Sequence, residues 1–241
     1  MADESAARLR MAARAVARAG LVHAYGHCSL RIDAHRFMVT PAKALGLISP
    51  LDEPVLVSTE GPLPQGALPE VLAHQGIFRA RSEVGGIVRF QSPQLTALST
   101  LGLTPRARHG FGAYFAPAPP LHEDPRLMRE PANAAALVGK LGAARAIVMR
   151  GNGAICVGHT LEEAVVMAWY LEDAARVELA VLATGRDGVE LTPQEAADRA
   201  VTSGRVVERM WEWLTAGDPE SKDAAQRDGG VALRAQGVSY R

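Results

Sequence analysis

"GGIVRFQSPQLTALSTLG", residues 85–102, decides how this chain is read. Ile87 and Val88 read as a buried strand, Ser92-Pro93 ends it, and the residues up to Gly102 continue as a helix. The strand's exit is chemically odd. Arg89 and Gln91 lie two residues apart, so their side chains point to the same side. A guanidinium at the end of a buried strand needs a partner, because burying a lone charge is too costly. That partner is expected to be an acid of the chain, Glu70 or another, or else an anionic ligand.

The flanking sequence repeats the alternation of strand and helix. Upstream, residues 5–19 predict a helix with Leu9, Ala12, Ala13 and Val16 on one stripe and Gly20 as its stop. "GHCSLRID" (26–33), "RFMVT" (36–40) and "EPVLVST" (53–59) predict strands, and the turn "EGPLPQGALP" leads into a helix over 69–84. Downstream, "GFGAYFAPAPP" (110–120) reads as a Gly/Pro-rich loop rich in aromatics, and residues 130–142 as a helix. "RAIVMRGNGAICVG" (145–158) reads as a hairpin turning at "RGNG". A Thr160/Glu163 capping box opens a long helix to Gly185, a second Thr-led helix starts near Thr192, and Met210, Trp211 and Leu214 mark a last one. The pattern predicts one layered α/β or α+β domain over residues 1–216, with a flexible tail over 217–241.

The chain has 241 residues, 48% of them hydrophobic, which is enough for a substantial core. Lys+Arg and Asp+Glu both number 26, so a nucleic-acid or membrane-surface role, which needs a basic excess, is not expected. No apolar run approaches the roughly 18 residues of a membrane span. The first 20 residues read as an amphipathic helix rather than a signal peptide. Cys28 and Cys156 sit in apolar contexts and read as free thiols in a reducing cytoplasm.

Six pieces in order now matter together: "YGHCSLRID", "VTP", the Glu and His of "PEVLAH", "IVRFQSPQLTALS", "RGNGAICVG" and "LEEAVVMAWYLEDAAR". Over residues 5–185 their order and spacing resemble the class II aldolase/adducin family. The resemblance implies a three-layer α/β/α fold with a central, mostly antiparallel β-sheet flanked by helices. It also implies a homotetramer with active sites at subunit interfaces, a small-molecule substrate and a divalent metal held by three histidines. The ligand positions implied by the resemblance are Arg89, Gln91 and Asn152, so all three histidines are missing here. Arginine has no lone pair to give and stays charged, so no metal cofactor is expected at this place. The phosphate-binding positions read Gly26-His27, Ala42-Lys43 and Leu68-Pro69. Pro69 lacks an N–H, and Leu68 and Ala42 lack hydroxyls, so a sugar phosphate is not expected. The "GH-x-S-x-R" first motif resembles family branches acting on non-phosphorylated, often aromatic or carboxylated compounds, which implies such a substrate.

The expected catalytic residues are therefore Glu70 as acid/base, His27 and Arg89, the last as an electrostatic sink in place of the metal. Burial is expected to tune Glu70 toward neutral pH. Gln91, Asn152, His74, Lys43, Arg31 and Gly26 are expected to bind substrate. Several have a plainer reading: Arg31 as a tie between strand and loop, Lys43 as a solvated lysine, His74 as a satisfied buried histidine. His109, Tyr114, Phe115 and His122 suggest a lid or a subunit contact. Two functions stand open at this stage. One is a carbon–carbon lyase acting by decarboxylation or retro-aldol cleavage. The other is a non-catalytic binding or assembly protein of the adducin kind. A metal relocated to His27, His74 and a loop histidine is a third arrangement, with no spacing signature behind it.

Overall fold

The computed structural model describes residues 2–221. The strands are β1 (His27–Arg31), β2 (Arg36–Val39), β3 (Val55–Ser58), β4 (Gly86–Phe90), β5 (Leu121–His122), β6 (Ala146–Met149) and β7 (Ala154–Gly158). They form one sheet in the order β3-β2-β1-β4-β7-β6-β5. Every neighbouring pair is antiparallel except β5 with β6.

Alternation along the strands divides the core in two. Val88 and Phe90 point to one face with Cys28, Leu30, Val148 and Cys156. That face is covered by α1 (Ala2–Arg18), α3 (Pro93–Thr100), α5 (Leu161–Ala183) and α7 (Val206–Leu214). Ile87 points to the other, with Phe37, Val57, Ile147 and Ile155, under α2 (Val71–Ala80) and α4 (Pro131–Leu141). A sheet with both faces covered is the three-layer α/β/α arrangement expected from the resemblance. The close approach of α5 requires a glycine beneath it, since a Cβ on Gly86 would stand 2.3 Å from Leu161 Cα.

The Ser92-Pro93 stop has a tertiary cause. Glu172, buried in α5, accepts from Ser92 Oγ (2.6 Å) and from the backbone N–H groups of Gln94 (3.0 Å) and Leu95 (2.9 Å). It satisfies the open N-terminus of α3 and complements its dipole. The Thr160 cap is half of the expected box. Thr160 Oγ1 accepts from the Glu163 N–H, but the Glu163 carboxylate takes the His159 N–H and Arg145 instead. The full box belongs to α6 (Pro193–Arg199), with Thr192 and Glu195.

Three expectations are corrected. β5 stands where the sequence pattern shows no strand: two residues after Pro119-Pro120 carry no periodic signal, and pairing with β6 alone makes them one. The aromatic loop is not a free lid. Tyr114 and Phe115 are buried in the α5-side core, Tyr114 Oη donates to Val201 O (2.6 Å), and Phe111 stacks on Tyr170 at 4.3 Å. The tail does not begin at 217. Asp218 is fully buried against Arg14, with contacts of 2.7 and 2.9 Å, and Glu220 binds Arg10 and Arg14. Without these two acids, α1 would bury two guanidiniums unpaired. Residues 222–241 of the expected tail lie outside the described residues. Both cysteines are buried and free, and among the described residues no helix is long and apolar enough to cross a membrane.

Asp218→Ala leaves Arg14 beside a single acid. It is expected to lower stability by about 3 kcal/mol, read as a lower urea midpoint at unchanged slope.

Candidate active site

The register of β1 on β4 sets His27 directly opposite Arg89. Arg89 shares the face of Ile87, and His27, Ser29 and Arg31 share the matching face of β1. The turn after β6 closes onto this strand end. Gly153 has φ +76°, and a Cβ there would lie 2.0 Å from Phe90 O, so only glycine admits the approach. The approach delivers Asn152, whose Oδ1 accepts from Arg89 Nη2 (2.7 Å) and Gln91 Nε2 (2.6 Å). The three positions that the resemblance equates with metal ligands therefore converge, joined by hydrogen bonds.

Arg89 is 7% exposed. Among the described residues no carboxylate forms a salt bridge with it, and its side-chain partner is the neutral Asn152 amide. Burial pushes its pKa down to about 10, against a smaller upward pull from the Glu70 charge, so it stays cationic at neutral pH. It opens on a cavity of about 620 Å³ shared with Gly26, His27, Lys43, Glu70, Gln91 and Arg129. Gly26 belongs there because a Cβ would meet Val22 Cγ1 at 2.8 Å and Arg89 O at 3.0 Å.

Glu70 stands at the N-terminus of α2, where the expected shift toward neutral pH is corrected. Burial pushes its pKa up, but Arg129 and the backbone N–H hold it below the ordinary glutamate value. Arg129 Nε donates to Glu70 Oε1 at 2.8 Å. Sequence reasoning passes over Arg129, since no motif or period distinguishes an arginine on an exposed loop.

His27 is held neutral, its pKa lowered to about 4 by burial and then by Arg89, with Glu70 opposing. Its Nδ1 is buried without a partner. His74 lies behind it, rings edge to face at 5.9 Å, fully buried and outside the cavity. Ser29 Oγ and His74 Nδ1 are 2.6 Å apart, while Nε2 has no partner. Burial, with the charges of His27 and Arg89, lowers the His74 pKa as well.

Other candidates fall elsewhere. Arg31 donates to the carbonyls of Phe78 (2.7 Å), Arg81 (2.8 Å) and Val84 (2.6 Å), and lies over the Phe78 ring. It finishes the C-terminal end of α2 and does not line the cavity, because a helix end offers the carbonyls that a buried guanidinium needs. Lys43 lines the mouth, but Asp52 neutralises it at 2.8 Å. Asn152 stands beneath the cavity, its oxygen taken by two donors. His109 binds Asp173 of α5 at 3.0 Å, and His122 is buried on β5. The donor set does not fit the metal that the resemblance implies. A guanidinium cannot ligate, and its N–H occupies the Asn152 oxygen that a cation would need. Among the described residues no three His, Cys, Asp or Glu side chains gather in a way that could hold an ion.

Comparison with known proteins agrees with this architecture. The family model for the Class II Aldolase and Adducin N-terminal domain matches residues 7–179. The chain is 27% identical over 204 residues to a 3,4-dihydroxyphthalate decarboxylase of Terrabacter sp. (strain DBF63), covering 77% of this chain and 84% of that protein. Among solved structures it resembles an L-fuculose 1-phosphate aldolase from Glaciozyma antarctica PI12, with TM-score 0.74 and 24% identity over 89% of this chain and 88% of that one. It also resembles the L-fuculose-1-phosphate aldolase from Thermus thermophilus, with TM-score 0.68 and 26% identity over 78% of this chain and 98% of that one.

The depressed His27 pKa fixes the sign of a pH effect. Between its folded value of about 4 and its ordinary 6.5, the unfolded chain binds a proton that the fold refuses. Stability therefore rises with pH through that window and is lost as pH falls, by on the order of 3 kcal/mol for His27. His74 adds in the same direction. His27→Gln is expected to flatten the slope of denaturation midpoint against pH. An unchanged slope contradicts the assignment.

Proposed function

The chain belongs to the class II aldolase and adducin family, and from that premise we propose that it is a carbon–carbon lyase. Its substrate is a small, non-phosphorylated, carboxylated aromatic acid, decarboxylated without the family's metal. The observation that carries this reading is Arg89: a buried cation, paired with no acid among the described residues, opening on the cavity. A charge so placed is balanced by an anion from outside. The resemblance to a decarboxylase of a dihydroxylated aromatic acid supports the reaction class.

Decarboxylation breaks the bond to the carboxylate carbon. Carbon dioxide leaves neutral, the electron pair stays on the substrate, and a proton joins the ring carbon in its place. A cation therefore helps where the pair collects, on an enolate- or phenolate-type oxygen, rather than on the departing carboxylate. Arg89 serves at that oxygen, with the second N–H of the Gln91 amide beside it. Asn152 orients both donors. A single guanidinium is a weaker electron sink than a metal ion, so the reading favours an aromatic substrate that spreads the charge itself. Glu70 moves the proton. His27, neutral at working pH, holds the substrate by hydrogen bonding, and His74 positions it from behind. Tyr25, Leu68 and Leu127 form an apolar rim at the cavity mouth, exposed in the single chain, which a neighbouring protomer of a homo-oligomer would cover.

Release of carbon dioxide from a panel of hydroxylated benzoic acids tests the proposal. Turnover is expected to fall about 100-fold or more in Glu70→Gln and in Arg89→Gln. It is expected to survive dialysis against a chelator. Full activity in both variants removes the site assignment, and activity lost to chelation but restored by a divalent ion removes the metal-free mechanism.

A further inference from the structure

Two guanidiniums line the same cavity under opposite conditions. Arg89 is buried and hydrogen-bonded to a neutral amide. The Arg129 side chain is 57% exposed and holds Glu70 through Nε alone. One-point contacts of an exposed arginine hold weakly, whereas a carboxylate offered to the guanidinium edge takes two parallel hydrogen bonds. We propose that Arg129 receives a second carboxylate, the one retained in the product, so that the cavity takes a dicarboxylic acid whose binding draws Arg129 off Glu70. This rests on the cavity being the substrate site, as read above.

The charges support it. Lys43 is cancelled by Asp52 and Arg129 by Glu70, which leaves Arg89 uncancelled. That suits one anionic group. A second would meet the Glu70 carboxylate unless Glu70 gives up its charge, and the surroundings of Glu70 provide for that. Its side chain is 14% exposed, and the charged or titratable groups facing it are Arg129, Arg89 and His27. Burial is the largest influence on Glu70 and acts upward, with Arg129 the chief opposing one. A substrate that takes Arg129 and screens Arg89 removes both cations from Glu70, and His27 is neutral. Glu70 then takes one proton from solvent. Arg129 then faces the retained carboxylate and Arg89 the oxygen on which the electron pair collects, and Glu70 is loaded with the proton that replaces the departing carboxylate on carbon. After transfer Glu70 is again a carboxylate and recaptures Arg129.

Calorimetric titration of the full chain with benzoate and with the three isomeric benzenedicarboxylates tests this. At least one dicarboxylate is expected to bind about tenfold more tightly than benzoate. Arg129→Gln is expected to remove that advantage, whereas Arg89→Gln weakens all four. Titration in buffers of different ionisation enthalpy is expected to show proton uptake with the tight dicarboxylate. That uptake should be absent with benzoate and absent in Glu70→Gln. No dicarboxylate advantage, an advantage that survives Arg129→Gln, or binding without proton uptake overturns the inference. Benzoate affinity that still depends on Arg89 then leaves the substrate site standing. Binding of neither class at about 10 mM, or binding indifferent to Arg89→Gln, removes the site itself.

Discussion

One guanidinium, buried at a strand end and salt-bridged to no acid among the described residues, is the constraint on which the proposed chemistry depends. Arg89 faces His27 across the β1–β4 ladder, and burial, helped by the Arg89 charge, holds His27 neutral. The polar contact that the fold supplies is an amide oxygen, brought in by a turn that only glycine can close. A charge in such surroundings is tolerated when something else balances it, and the open side of Arg89 is the cavity.

The site has a stiff rear and a yielding front. Behind Arg89 stand strands buried on both faces, with His74 fixed against Ser29 and packed edge to face on His27. Both histidines resist protonation, which keeps further positive charge away from the arginine. In front, Glu70 and Arg129 form a pair whose arginine is mostly exposed. Groups that must hold an anion through a reaction belong on the rigid side, and groups that exchange partners belong where solvent weakens each bond.

The scaffold uses the same device elsewhere with the opposite outcome. Arg14 is also buried, yet Asp218 and Glu220 close on it, and Arg108 is closed on Glu178. Those pairs fasten distant segments together. Among the described residues Arg89 differs in lacking a carboxylate partner, and the proposed binding role rests on this contrast.

Much of the fold was legible in the sequence. Period-two alternation in residues 86–90 and 154–158 and the apolar stripes of α1 and α2 are local patterns, and local patterns survive any choice of partners. The shared side of Arg89 and Gln91, and the inability of arginine to bind a metal, likewise follow from covalent chemistry and strand geometry. Tertiary structure decided the rest. β5 exists only because β6 offers it hydrogen bonds, and the α3 cap comes from Glu172, far along the chain. Residues 217–221 are docked because α1 buries two arginines. In the site, Arg31 left for the end of α2, Lys43 was neutralised, and Arg129 arrived from a loop without a motif. Side-chain type and spacing say what a residue can do. Which charges meet, and which one is left without a partner, depends on distances that only the folded chain sets.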